Sequence, residues 1–180
     1  RGAKALTAVE FNPVMADIAR RNVALNGRDD RITIVEGDYR RIREWAASGT
    51  FAAVYANPPY QEKSRGAYSD VDGIRRACHE ETATLGDVLD AVKYALKYHG
   101  RFRMVHITER LADILEAMRA RDIEPKVLQM VHGRPDKKAK LFLVEGIRGG
   151  SKGMDVLPPL IVHNPDGSYS DAVLRLYGKR

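Results

Sequence analysis

Short apolar runs alternate with amphipathic stretches along most of this chain. Leu6 to Val9 is apolar or β-branched throughout, as expected of a strand covered on both faces. Asn12 follows at an N-cap position with Pro13 at the first helical one, a pairing that satisfies a free N–H and presets φ. Val14, Met15, Ile18, Ala19 and Leu25 give a helical stripe, and Asn26-Gly27 predicts its left-handed stop. Ile32 to Val35 reads as the next strand, Arg40 to Ala47 as a short polar helix, and Phe51 to Ala56 as another buried strand.

A long polar stretch, Gln61 to about Ala83, separates this strand from an amphipathic helix starting at Thr84. Leu85, Val88, Leu89, Val92, Ala95 and Leu96 share its face, with His99-Gly100 as the expected stop. Phe102 to Ile107 predicts a strand, and Thr108 is the expected cap of a helix carrying Leu111, Ile114, Leu115 and Met118. Lys126 to His132 and Leu141 to Ile147 predict two strands joined by a basic turn, followed by a Gly- and Pro-rich tail with a short apolar run at 160–162. Strands alternating with helices and then a hairpin predict an α/β fold: a doubly wound, mostly parallel sheet with an antiparallel edge hairpin. The expected organisation is one domain over residues 1–148, with 149–180 as a tail packing on it.

Composition narrows the function classes. The chain has 180 residues, 44% hydrophobic and 30% charged, which suits an ordinary globular protein. No apolar run approaches bilayer length, so no membrane partner is expected. The single cysteine, Cys78, excludes an intramolecular disulfide and a cysteine-based metal cluster, and a cytoplasmic setting is expected. Thirty basic against 24 acidic residues give a net charge of +6, favouring a polyanionic partner such as nucleic acid.

In doubly wound sheets ligands bind beyond the carboxyl ends of the strands. Three such ends carry polar residues. Glu10 could accept from both hydroxyls of a ribose, or simply be a solvated carboxylate. Gly37-Asp38 could let backbone approach an adenine whose amine donates to the carboxylate, or Asp38 could cap the following helix. Asn57-Pro58-Pro59-Tyr60 closes the Phe51 strand. It could be a plain turn, since Asn-Pro and Pro-Pro both punctuate structure. It also offers a rigid set of acceptors beside an aromatic face. If the Asn57 side-chain oxygen and the Pro58 carbonyl accept the two protons of an aromatic amine, its nitrogen lone pair turns toward an electrophile. Tyr60 would then stack on the base and align it. Three strand ends converging on one crevice are more specific than any of them alone.

With these motifs the chain resembles the S-adenosylmethionine-dependent methyltransferases of the seven-stranded α/β class. Among them it is most similar to the amino-methyltransferases carrying an Asn-Pro-Pro-Tyr motif. More narrowly, Cys78-His79-Glu80, Glu109-Arg110-Leu111, Val144-Glu145-Gly146-Ile147, Leu157-Pro158-Pro159-Leu160 and Tyr169 resemble bacterial N6-adenine methyltransferases acting at adenosine 37 of a valine tRNA. The resemblance implies S-adenosylmethionine as cofactor, no metal, and RNA, expected to be a tRNA anticodon loop, as partner. It places Glu10, Phe11, Asp38, Tyr39 and Asn57 at the cofactor. Asn57, Pro58 and Tyr60 would present the target base, with Pro59, Lys63, Arg65, Arg75 and Arg76 also holding substrate. The family has a strand and a glycine-rich cofactor loop before the Glu10 strand. This sequence lacks them, which leads us to expect about 50–70 further residues upstream, one βα unit with a lead-in.

Two other readings share these residues. One is methylation of a protein glutamine amide by the same motif. The other is a non-catalytic RNA-binding module of the same fold, supported by the absent cofactor loop. DNA adenine methylation is disfavoured because no separate sequence-reading domain is apparent. The basic turn Arg134, Lys137, Lys138 and Lys140 is either an RNA backbone contact or a solvated turn, and His106 is expected to be a satisfied core residue.

Overall fold

The computed structural model describes residues 3–58 and 84–179. The chain divides into two compact units, one running to Ala46 and the other starting at Ala47. Among the described residues the strands form a two-stranded parallel sheet and a five-stranded mixed one.

In the first unit β1 (Leu6–Glu10) pairs parallel with β2 (Ile32–Glu36), in register from Leu6 opposite Ile32 to Glu10 opposite Glu36. Helix α1 (Pro13–Leu25) makes the crossover. The Asn12 side chain accepts from Val14 N at 2.9 Å and Met15 N at 3.3 Å, and Gly27 takes the left-handed φ of +56° that ends the helix. The apolar stripe does not become a buried face: Val14, Met15, Ile18 and Leu25 are exposed, and Ala16 is the buried position. A pair of strands about 4.8 Å apart presents too narrow a surface to cover a full helical stripe, so the small side chain makes the close approach. The expected polar helix is a 3-10 turn, Tyr39–Glu44, capped by Asp38.

In the second unit the strand order is β3 (Phe51–Ala56), β4 (Leu96–Ile107), β6 (Ala139–Arg148), β5 (Ile123–His132), β7 (Asp155–Ile161). β3 and β4 are parallel, β6 runs antiparallel to both β4 and β5, and β7 is parallel to β5. All strands but β6 therefore point the same way, and their carboxyl ends share one edge of the sheet. Helices α2 (Leu85–Ala95) and α3 (Leu111–Arg119) supply Leu89, Val92, Ile114 and Met118 to a core completed by Leu96, Phe102, Met104, Ile123, Phe142 and Val144.

Three local expectations are revised. Helix α2 ends at Ala95, not at His99-Gly100. Leu96 is already extended (ψ 138°) and fully buried, and its carbonyl accepts from Arg148 Nη1 at 2.5 Å. Leu96 fits the helical stripe as well as it fits a strand, which is why spacing alone misplaces the boundary. Gly100 instead lies where a Cβ would meet the Lys97 carbonyl at 2.8 Å, beside the irregularity in β3–β4 pairing. Thr108 does not cap α3. Its hydroxyl donates to the Ala139 carbonyl at 3.1 Å, and a 3-10 turn, Thr108–Arg110, precedes the helix. The tail contributes the seven-residue strand β7 outside the hairpin, and Pro158 and Pro159 fit there because an edge strand tolerates missing donors. No helix among the described residues is long and apolar enough to cross a membrane.

Candidate active site

The carboxyl ends of β1 and β2 are tied together. Gly37 N donates to the Glu10 carbonyl at 2.9 Å, which holds the end of β1 against the Gly37-Asp38 turn. One Glu10 carboxylate oxygen accepts from Asn12 N at 2.9 Å. An ionised carboxylate has about four lone-pair sites, so this bond fixes the group and leaves acceptor capacity for ligand hydroxyls. A Cβ added to Gly37 would meet nothing within 4 Å among the described residues. Packing among the described residues therefore does not require the glycine there, and the space suits a flat ring against the backbone.

Asp38 is more committed. Its Oδ1 accepts from Arg40 N at 2.9 Å, and Arg40 Nε donates to Oδ2 at 2.7 Å. The Arg40 side-chain bond holds the Asp38 carboxyl below the usual carboxylate range, against the opposing effect of burial. Asp38 is thus an anion that caps the 3-10 turn, and an amine donor would share it with Arg40. Tyr39 is half-buried next to it, and Phe11 is 58% exposed at the start of α1. Glu10, Phe11, Asp38 and Tyr39 thus stand at or just beyond the carboxyl ends of the paired strands β1 and β2.

Asn57 and Pro58 stand at the carboxyl end of β3 in the second unit. The strand is fixed beneath them by pairing with β4, where Ala56 lies opposite Met104. Asn57 is exposed and Pro58 half-buried. β4 continues past this level to Ile107, and the Thr108 hydroxyl ties its end to the start of β6. Pro59, Tyr60, Lys63, Arg65, Arg75 and Arg76, like Cys78, His79 and Glu80, lie outside the described residues.

Sequence reasoning did not single out the groove beside this edge. Thr84, Gly86, Arg110, Asp113 and Glu116 line it between the start of α2 and the face of α3. Arg110 Nε donates to Asp113 at 2.8 Å. Only the Glu109-Arg110 resemblance hinted at this place. Val144-Glu145-Gly146 proves structural: Glu145 accepts from Arg101 and, at 2.5 Å, from Arg103 Nε, binding β6 to β4. Arg103 also lies over the Tyr55 ring, 5.4 Å from its centroid. His106 is a core residue as expected, its Nδ1 accepting from Ile107 N at 2.9 Å.

No protein-family model matches the chain. It is 29% identical over 174 residues to a tRNA1(Val) (adenine(37)-N6)-methyltransferase of Porphyromonas gingivalis, covering 93% of this chain and 67% of that protein. A protein of the same name from Aeromonas salmonicida is 28% identical over 176 residues, with 95% and 69% covered. This chain is their homologue. It spans about two thirds of their length. Among solved structures, a predicted O-methyltransferase from Agrobacterium tumefaciens superposes with a TM-score of 0.75 at 21% identity, covering 97% of this chain and 77% of that one. In folds of this kind ligands bind beyond strand carboxyl ends; Glu10 and Asp38 stand at such ends in the first unit, and Asn57 at one in the second.

Proposed function

We propose that the protein transfers a methyl group from S-adenosylmethionine to the exocyclic amine of adenine in RNA, a tRNA anticodon loop, in a cytoplasmic setting. The observation that carries this reading is Asn57-Pro58 at the carboxyl end of a parallel strand in a homologue of tRNA adenine methyltransferases. The cofactor when bound supplies a sulfonium methyl, a strong electrophile. Glu10 would hold the ribose, with Phe11, Asp38 and Tyr39 around the adenine ring. The free carboxylate capacity at Glu10 and the open space at Gly37 support this assignment.

The acceptor half of the chemistry belongs to Asn57 and Pro58. An aromatic amine is a weak nucleophile because its lone pair is delocalised into the ring. The Asn57 Oδ1 and the Pro58 carbonyl accept its two N–H groups and leave the lone pair to point at the methyl carbon. Proline fixes φ, so the carbonyl is oriented before the base arrives. Tyr60 would stack on the base, and Pro59, Lys63, Arg65, Arg75 and Arg76 would hold the surrounding nucleotides. An adenine in a single-stranded loop is already accessible and need not be pulled from a duplex. Residues 1–148 would form the catalytic domain and 149–180 its packed tail.

The names of the relatives favour RNA over a glutamine amide. Methyl transfer from labelled S-adenosylmethionine tests this, with total tRNA and a glutamine-bearing release factor as competing substrates for the full-length protein. Label in tRNA alone is the expected result. Label in the protein substrate, or in neither, refutes the reading.

A further inference from the structure

Beyond β5 and β7 the chain builds a second surface that the methyl-transfer chemistry leaves unused. Val162 N donates to the His132 carbonyl at 2.9 Å and His163 N to the Gly133 carbonyl at 3.0 Å. These bonds press the segment after β7 against the turn after β5. That turn exposes Arg134, Lys137 and Lys138, and Lys140 is exposed just inside β6. His132 Nδ1 donates to the Lys137 carbonyl at 2.7 Å and folds the turn back on the sheet. Lys137 pairs with Asp136 at 3.2 Å, but both side chains are 67% exposed, so the pair is weak and easily exchanged for a phosphate.

Beside the cations stands a stair of rings. His163 and Tyr169 stack at 4.9 Å and 24°, and Tyr169 meets Tyr177 at 6.5 Å and 50°. Tyr169 is 51% exposed and Tyr177 66%. The loop presenting Tyr169 is closed by Asn164 N to Ser168 O (2.8 Å), Asn164 Nδ2 to Ser168 Oγ (3.0 Å) and Ser168 N to Asp166 (2.9 Å). On the other side Ser170 Oγ donates to the Ile161 carbonyl at 2.6 Å. Tyr169 is therefore held in place before any ligand arrives. Asp166, a carboxylate of the same loop, is engaged by Ser168 within the turn.

We propose that this surface is a platform for RNA, with unpaired bases stacking on Tyr169 and Tyr177 and the backbone lying along the basic turn. Exposed rings on a rigid loop next to clustered cations are what single-stranded nucleic acid binding requires. The platform rests on the RNA reading above and extends it. β3, β4, β5 and β7 run in one direction, so the platform and Asn57 occupy the same sheet edge. Three to four strand spacings separate them, about 15–20 Å. The platform would thus hold nucleotides flanking the target base.

Fluorescence anisotropy of a labelled anticodon stem-loop with the full-length protein tests the proposal. Tyr169→Ala and Tyr177→Ala each weaken binding about tenfold, the lower range for losing one base stack. Tyr169→Phe binds like the parent and, with melting curves, separates lost stacking from lost folding. The Lys137→Ala/Lys138→Ala pair lowers the slope of log affinity against log salt by about 1.4, two phosphate contacts at about 0.7 each. Parental affinity in both Tyr→Ala variants overturns the platform, as does equal competition by polyglutamate of matched charge. Transfer at saturating tRNA is measured alongside. Tyr169-dependent binding by a parent that transfers no methyl group would sink the methyltransferase reading and leave the platform standing.

Discussion

Gly146→Ala is a small change in a closely packed part of the second unit, and its cost follows from the geometry. Gly146 lies in β6 between Phe102 on β4 and Pro125 on β5. A Cβ there would sit 2.5 Å from Met118 Cε, 2.8 Å from Ile123 Cγ2 and 3.2 Å from the Glu124 carbonyl oxygen. Carbon pairs prefer about 3.5–4.0 Å, so the first two contacts overlap by about an ångström. Met118 is flexible at its tip, but it and Ile123 are fully buried, and the branched Ile123 cannot rotate freely. Overpacking of this kind costs about 1–3 kcal/mol. Alanine recovers about 0.4–1 kcal/mol by restricting the unfolded chain, because the φ of Gly146 is not in the left-handed region. The net loss is about 1–2 kcal/mol, a fall in melting temperature of about 2–8 °C for a domain of this size. Thermal unfolding by circular dichroism measures it. Met118→Ala in the same background should relieve the clash, giving a coupling of at least about 0.5 kcal/mol in a double-mutant cycle. A Gly146→Ala protein as stable as the parent, with no coupling to Met118, would refute the packing argument.

Other consequences are as direct. Burial, then the nearby Arg110, lowers the His106 pKa from the ordinary 6.5. The unfolded chain therefore takes up the proton more readily, so the neutral ring's contribution is complete above pH 6.5 and is lost as pH falls below it. The parent should lose up to about 1.4 kcal/mol per pH unit through this group. Urea titrations of His106→Leu should show a flatter acid limb, and parallel curves would contradict the assignment. Asn57→Ala should slow methyl transfer about 10²–10³-fold by removing one preoriented acceptor; single-turnover rates at parental speed would dismiss its role. Asn12→Ala removes the cap on Val14 and Met15 N–H groups and should cost about 1 kcal/mol, read as faster amide exchange in α1.

Local chemistry made much of this fold legible. Asn12-Pro13 and Asn26-Gly27 mark the ends of α1 because caps act within a few residues. The apolar runs at Ile32 and Phe51 form strands for the same reason. What stayed hidden depends on partners distant in sequence. Leu96 joins β4 because that strand buries it, and the Thr108 hydroxyl serves Ala139, 31 residues on. β7 pairs with β5 despite two prolines because it sits at an edge. At the site, Glu10 and Gly37 are brought together as the strand-end rule implies. The Arg40 claim on Asp38 required the side-chain geometry. Tyr169 and Tyr177 are eight positions apart in a polar tail, and only the fold of 161–177 makes them neighbours.

The roles given to Glu10, Asp38 and Asn57 all serve methylation of a tRNA adenine amine. Nucleoside mass spectrometry of valine tRNA incubated with full-length protein and S-adenosylmethionine tests it most directly. N6-methyladenosine at position 37, absent when Asn57→Ala replaces the parent, is the expected product. Unmodified adenosine throughout that tRNA, with cofactor bound by calorimetry, would contradict it.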